Sequence, residues 1–354
     1  MLTARQLSVL NVAFPFAAVG PDAVGGAEQV LSALDSALAN LGHRSIVVAC
    51  NGSRVAGNLV AVPRTRLGPI DGDLRANTYA TMRAIIADTI RRTAIDLVHM
   101  HGLDFHAYLP PPGPPVIVTL HLPPQWYPSA ALQPARPKTW IQGVSQSQDR
   151  ALRQFANGPW VREPISNGVP VEKLSASRHA RQRFALTLGR VCPEKGQHLA
   201  ISAARIAGVP LLIAGEVFPY SAHMVYFQSE LIPGLDSSRR WIGPVGFERK
   251  RHLLSAARCV LIPSLAPETS SLVAMEAASC GTPVIAFRSG ALTEIVQPNL
   301  TGFLVNNAEE MAAAIHRTNE IDPEDCRRTA RARFSLNRTI EEYLRLYQTL
   351  AASG

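Results

Sequence analysis

Short apolar runs alternate with amphipathic segments along the whole chain, and this alternation most narrows the folds open to it. Leu7–Phe14 reads as a strand, Ala27–Leu41 as a helix closed by Gly42, and Ser45–Cys50 as the next strand. A helix from Leu74 to Ala94 follows, then strand-like runs at Asp96–Met100 and Pro115–Leu120. A second series opens at Phe184–Leu188 and continues with Pro210–Ala214, Cys259–Ile262 and Pro283–Phe287. Strands that alternate with helices pair in parallel under a helical cover. At 354 residues the chain is too long for one typical domain and suits two. Prolines 159, 164 and 170 surround Asn167-Gly168, which marks Gly158–Ser177 as a linker with a tight Asn-Gly turn. The expected architecture is α/β, with two Rossmann-like, doubly wound domains facing a central cleft. The first spans 1–163 and the second 164–335. A final helix in 336–354 carries Ile340, Tyr343, Leu344 and Tyr347 at helical spacing. No internal repeat of about 20–50 residues is visible. Ligands in such folds sit at the C-terminal ends of strands, so the loops there matter most.

Bulk properties exclude several classes. With 47% hydrophobic and 18% charged residues the chain can build sizeable cores and is not disordered. No apolar run approaches the ~20 residues a spanning helix needs. Leu7–Val19 has the look of a signal-peptide core, but Gly25-Gly26 and a helix follow it in βα order, so it reads as a first strand. The five cysteines form no CxxC and are odd in number, which points to free thiols in a reducing, cytoplasmic compartment. The net charge of +8 is scattered and lacks the aromatic interleaving of a single-strand binder, so nucleic acid is not an expected partner. Arg75, Arg83, Arg91 and Arg92 on the 74–94 helix leave a peripheral membrane contact open. Its apolar residues Met82, Ile85, Ile86 and Ile90 suit packing on its own sheet.

The chemistry-bearing loops begin with Pro267-Glu268-Thr269-Ser270-Ser271-Leu272, and Glu276 stands eight residues after Glu268. Hydroxyl residues before an apolar helical segment suit an N-cap, and helix N-termini attract phosphate through free amides and the dipole. Glu276 stands about one and a half turns up that helix, on the order of 7 Å from Ser271. Carboxylates accept hydrogen bonds from sugar hydroxyls, so the spacing suits a nucleotide sugar with diphosphate between hexose and ribose. An ordinary capped helix explains the same run equally well. Gly25-Gly26 lets backbone approach a phosphate, or is only a turn. Arg190 and Lys195, five residues apart after Phe184–Leu188, can converge on one diphosphate, or belong to a solvated loop. The chain has only four lysines (138, 173, 195 and 250), so Lys195 in this loop is informative. His121, held by Pro123 and Pro124, can reach a sugar hydroxyl or serve as a structural histidine. Trp241 to Gly246 forms a loop that suits the edge of a nucleobase or a plain turn. Asp71-Gly72-Asp73 spells DxD, a metal-chelating pattern in some transferases. Here it sits in a Pro-Gly turn, and no metal is expected.

In order, these segments resemble a family 4 glycosyltransferase of the retaining kind (glycosyl transferases group 1), with the GT-B fold. The resemblance rests on the early glycine loop, Val144-Ser145, Asn167-Gly168-Val169, Gly189-Arg190, Glu194-Lys195-Gly196 and the Glu268–Glu276 block ending Cys280-Gly281-Thr282-Pro283. Gly290, Glu294-Ile295-Val296 and Gly302-Phe303-Leu304-Val305 continue it. It implies a catalytic set of His121, Arg190, Lys195 and Glu268. The donor would be held by Gly25, Gly26, Val245, Ser270, Ser271, Leu272 and Glu276, with the diphosphate on Arg190, Lys195 and the amides of Ser271 and Leu272. Glu268 would hold the transferred sugar, Glu276 the ribose, and Val245 the base. The final helix would return to the first domain. Where the family has Phe-Gly this chain has Ser270-Ser271, which leaves the hexose open. The implied reaction is metal-free, retaining hexosyl transfer in bacteria, from a UDP-, GDP- or ADP-sugar to a hydroxyl acceptor. An epimerase or hydrolase on the same fold, or a non-catalytic sugar-nucleotide binder, are the alternatives.

Overall fold

Six short strands form a wholly parallel sheet in the order β3-β2-β1-β4-β5-β6: β1 (Ser8–Val12), β2 (Arg44–Cys50), β3 (Asn58–Val62), β4 (Leu97–Met100), β5 (Val116–Thr119) and β6 (Thr139–Gln142). A second parallel sheet runs β12-β11-β10-β7-β8-β9, from β7 (Ala185–Leu188), β8 (Leu211–Ala214), β9 (Arg239–Trp241), β10 (Cys259–Ile262), β11 (Val284–Phe287) and β12 (Gly302–Val305). The computed structural model describes residues 5–63, 70–176 and 179–352. The chain divides into two units, one running to Ser166 and resuming at Thr339, the other spanning Asn167–Arg338. Both sheets share the doubly wound topology, in which strand order reverses once: between β1 and β4 in the first unit, between β7 and β10 in the second.

The first unit shows why four-residue apolar runs are strands here. β4 and β5 are buried at every position, as parallel strands covered on both faces must be. Helix α1 (Gly26–Asn40) buries Val30, Leu31, Leu34 and Leu38. Helix α2 (Gly72–Arg92) buries Leu74, Met82 and Ile86, and Ile85 and Ile90 pack on the same core, so its apolar side serves its own unit. Arg91 and Arg92 both pair with Asp88. The DxD segment is not a free turn. Asp71 caps α2 by accepting the Leu74 amide at 2.8 Å, which satisfies one of the orphan donors of the first turn. Helix α3 (Gln146–Phe155) starts with reciprocal bonds: Ser145 accepts the Gln148 amide at 3.1 Å, and Gln148 Oε1 accepts the Val144 amide at 2.7 Å. The C-terminal helix (Leu336–Ala352) lays Tyr343, Tyr347 and Leu350 against Leu7, Val9 and Ile117 of this unit. None of the described helices is long and apolar enough to cross a membrane.

In the second unit the covering helices include α4 (Val171–Ser175), α5 (Gln197–Ile206), α6 (Ser221–Tyr226), α7 (Phe247–Ala256) and α8 (Leu272–Ser279). Asn167-Gly168 is not the tight turn its composition suggests. Val169 donates to Phe334 O at 2.8 Å and accepts from the Leu336 amide at 3.0 Å, so this backbone pairs with the segment before the C-terminal helix. A Cβ on Gly168 would stand 2.5 Å from Ser335 O. The glycine is there for close backbone approach. The expected linker ends at Ser177, which lies outside the described residues.

Candidate functional site

The point where strand order reverses in the second sheet gathers the residues with the clearest chemistry. β7 runs into Gly189-Arg190 and the turn Pro193–Lys195, while β10 runs into Pro263, Ser264 and Glu268. The two loops are tied together. Leu265 donates to Glu194 O at 2.8 Å, and a Cβ on Gly196 would stand 2.4 Å from Pro263 O. Gly196 has φ +63°, so both its conformation and this contact require glycine. Across this seam Lys195 Nζ donates to Glu268 Oε1 at 2.6 Å. Ser264 Oγ donates to the same oxygen. The Glu268 side chain is 8% exposed, and its Oε2 has no partner among the described residues. Gly290, at φ +53°, lets the following turn lie on the backbone of Glu268, where a Cβ would meet Glu268 O at 2.2 Å. Ala291 donates to that carbonyl at 2.8 Å. Two donors thus hold one oxygen of the carboxylate, and the Gly290–Ala291 turn holds the backbone beneath it.

Glu276 repeats the pattern one helix turn deeper. Lys250 of α7 donates to Glu276 Oε1 at 2.5 Å, with side-chain exposures of 15% and 4%. Lys250 also lies over the Phe247 ring at 5.8 Å. Glu276 Oε2 has no partner among the described residues. Sequence reasoning missed Lys250, although the scarcity of lysine that singled out Lys195 applies to it equally.

The expected hydroxyl cap at the start of α8 is not formed. Ser271 occupies the N-cap position, but its side chain makes no cap bond, and φ −120° with ψ 89° turns the chain into the helix without it. Ser270 Oγ is buried with no partner among the described residues. A helix start left uncapped, beside a buried hydroxyl with nothing to bond, is chemically suited to an anion. Leu272 and Val245 are partly buried against the core of this unit, Val245 in the loop between β9 and α7. The Arg190 guanidinium lies 6.0 Å from the Phe218 ring centroid, in the loop after β8. Lys195 meets Glu268 and Arg190 meets Phe218, so the two cations do not share one side-chain partner.

The remaining expected residues belong to the first unit. Gly25 takes the N-cap position of α1, but the space beside it is filled: a Cβ there would stand 1.8 Å from Glu28 Oε2. The Glu28 carboxylate therefore lies over Gly25 at the helix start, the usual place for an acid in a first turn. A phosphate reaching those amides must displace this flexible side chain.

His121, after β5, stands beside His101, with Nε2 to Nδ1 at 3.3 Å. His101 in turn packs on His99, the ring centroids 3.7 Å apart. Tyr127 Oη accepts the amides of His121 and Leu122 at 3.3 and 3.2 Å, which holds the loop. His99 bonds Tyr347 Oη at 2.6 Å and Thr119 Oγ1 at 2.7 Å. Burial pushes His121 down to about 4 and holds His99 and His101 well below the ordinary imidazole range, aided by their mutual repulsion when charged. At neutral pH His121 is therefore a neutral hydrogen-bonding group.

The unfolded chain protonates these imidazoles near pH 6.5 and the folded chain does not, so stability is full above that pH and falls as pH drops below it. Each of the buried His99 and His101 removes up to about 1.4 kcal/mol per pH unit. Urea unfolding followed by tryptophan fluorescence should show a falling midpoint between pH 6.5 and 5. A flat profile there would mean the imidazoles titrate alike in both states.

Comparison with known proteins follows the same division of the chain. The profile of Glycosyltransferase Family 4 matches residues 24–175, and that of Glycosyl transferases group 1 matches residues 182–320. The chain belongs to the family 4, group 1 glycosyltransferases. A D-inositol 3-phosphate glycosyltransferase of Saccharomonospora viridis is 28% identical over 239 residues, 58% of this chain and 54% of the relative. The one from Mycobacterium bovis is 32% identical over 147 residues, 40% of this chain and 28% of the relative. These alignments span about half, or less, of the curated relatives' length. Among solved structures, the sucrose-phosphate synthase of Thermosynechococcus elongatus superposes with TM-score 0.79 at 21% identity, covering 98% of this chain and 100% of that one. AviGT4, a glycosyltransferase involved in avilamycin A biosynthesis, gives TM-score 0.71 at 24% identity, with 98% and 99% covered. HepE of Anabaena, solved in complex with UDP-glucose, gives 0.75 at 17%, with 97% and 100% covered. The likeness establishes that this family member has the GT-B fold.

Proposed function

We propose that the chain transfers a hexosyl unit from a nucleotide-diphosphate sugar to a hydroxyl acceptor, with retention at the anomeric carbon and no metal under the diphosphate. The observation that carries this reading is the Lys195–Glu268 pair at the strand-order reversal, beside the uncapped start of α8. Family membership and the UDP-glucose in HepE agree with it. Lys195, Arg190 and the first amides of α8 take up charge on the departing diphosphate, and such electrostatic stabilisation is usually the main source of rate enhancement. Glu268 Oε2 accepts hydroxyls of the transferred sugar and Glu276 Oε2 those of the ribose, each carboxylate held by its lysine. Val245 borders the base. His121, neutral, donates or accepts one hydrogen bond at the sugar. Gly25 and Gly26 take part once Glu28 moves aside.

With Glu268 oriented by Lys195 and Ser264, the chemistry assigned to it is recognition and not covalent attack. Departure and attack on the same face then account for retention. NMR of the product anomer tests this, and an inverted linkage would overturn it. Asp71 commits its carboxylate to the cap of α2, so the DxD spelling needs no cation. Turnover after exhaustive EDTA treatment is expected to match the untreated rate, and recovery only on adding Mg²⁺ or Mn²⁺ would contradict the metal-free reading. The decisive screen offers UDP-, GDP- and ADP-hexoses with hydroxyl acceptors, inositol phosphate first because the curated relatives carry that name. Acceptor-dependent nucleotide release supports transfer. Donor consumption without any acceptor would instead support an epimerase or hydrolase.

A further inference from the structure

Between Arg190 and Lys195 stand two residues the transfer reaction does not use. Cys192 precedes the turn Pro193–Lys195 and Glu194 lies within it. Their side chains meet His223 of α6, and one donor atom from each of the three lies within 4.8 Å of the others. Cys192 is 2% exposed and His223 is 9% exposed. His223 Nδ1 is buried with no hydrogen-bond partner among the described residues. An orphaned ring nitrogen at that depth is costly unless something completes it. The only described contact of the Cys192 sulfur with a backbone carbonyl is a weak one to Arg190 O, at 3.7 Å.

We propose that Cys192, Glu194 and His223 form a binding site for a thiophilic divalent cation, Zn²⁺ in the first place. One sulfur, one imidazole nitrogen and one carboxylate oxygen make a borderline-soft set of three, which leaves a fourth tetrahedral position to water or an anion. A hard cation such as Mg²⁺ prefers oxygen ligands throughout and keeps most of its water, so this set selects against it. Ligand atoms about 2.0–2.3 Å from zinc stand roughly 3.5 Å apart. The three donors, all within 4.8 Å of one another, therefore close by at most about an ångström, through small side-chain adjustments. Binding releases the thiol proton as Cys192 becomes thiolate. The cation would join the loop carrying Arg190 and Lys195 to α6. The site is distinct from the metal-free transfer proposed above and does not rest on it.

Titration of the metal-free full chain with Co²⁺ tests the proposal without any substrate. The expected result is one Co²⁺ per chain, with thiolate charge-transfer absorption in the near ultraviolet and tetrahedral visible bands, all abolished by one equivalent of Zn²⁺. Cys192→Ser and His223→Gln should each weaken binding by about 100-fold or more, since even outer partners of metal ligands commonly contribute 10–100-fold. Cys50→Ser, at the least buried thiol, should leave the spectrum unchanged. Melting midpoints confirm that each variant is folded, and His223→Gln with Glu194→Gln carries the test if Cys192→Ser does not fold. No thiolate band at stoichiometric Co²⁺, or a band that survives these substitutions, would overturn the site.

Discussion

Replacing Lys195 by alanine is expected to lower turnover by on the order of 10²–10³-fold, the usual loss when one preorganised donor to a developing anion is removed. Arg190→Ala should act in the same direction. Part of the Lys195 effect could pass through Glu268, whose Oε1 the ammonium holds at 2.6 Å. The control is Glu268→Gln, which keeps the side chain's shape and removes its charge, together with the double variant. If Lys195 acts on the diphosphate itself, Lys195→Ala lowers kcat further than Glu268→Gln does. If it only positions Glu268, the double variant is no worse than Glu268→Gln alone. Nucleotide release from the donor that the wild type consumes is the readout. Near-normal rates in both cation variants would remove them from the mechanism.

The second large effect concerns Lys250. Lys250→Met leaves the Glu276 carboxylate, 4% exposed, without its cation. Breaking a buried pair by deleting one partner costs about 3 kcal/mol or more, because the remaining charge is desolvated and uncompensated. For a unit of this size that corresponds to a melting midpoint lower by about 6–12 °C. Adding Glu276→Gln should restore much of the stability, since the orphan charge is gone, yet leave donor binding weak, since the ribose acceptor is gone too. That split separates the structural from the recognition role of Glu276. An unchanged midpoint in Lys250→Met would show that the pair is solvated and contributes little.

Much of the fold was legible because parallel strands covered on both faces need nothing but apolar residues. Leu97–Met100, Val116–Thr119 and Cys259–Ile262 announce themselves for that reason. Two of the four edge strands were hidden for the opposite reason. Asn58–Val62 and Arg239–Trp241 each have a neighbour on one side only, so they tolerate exposed and charged residues and look like loops. Asn167-Gly168 reads as a turn by composition, but its glycine answers to Ser335, far along the chain. No local pattern carries that information.

At the candidate site, the residue types and their loops could be read, while their partners could not. Lys195 and Glu268 are 73 positions apart, and only the β7–β10 adjacency brings them together. The cap at Ser271 was expected from a rule about hydroxyls, and the structure leaves that helix start uncapped. Gly25 and Gly26 promised open amides, yet Glu28, three residues on from Gly25, folds back over Gly25. Cys192 escaped notice as a ligand because its companions are a glutamate two residues away and a histidine on another element, a spacing no metal motif contains.

The central claim is that the second unit grips a pyrophosphate, and paired calorimetric titrations test it most directly. Nucleoside diphosphates and the matching monophosphates are titrated into the wild type and Lys195→Ala. Charge-assisted hydrogen bonds contribute about 1.5–3 kcal/mol each, so one base's diphosphate should bind at least ~10-fold tighter than its monophosphate in the wild type, with the gap closing in the variant. Equal affinity for diphosphate and monophosphate, or a gap that Lys195→Ala leaves unchanged, would contradict the account.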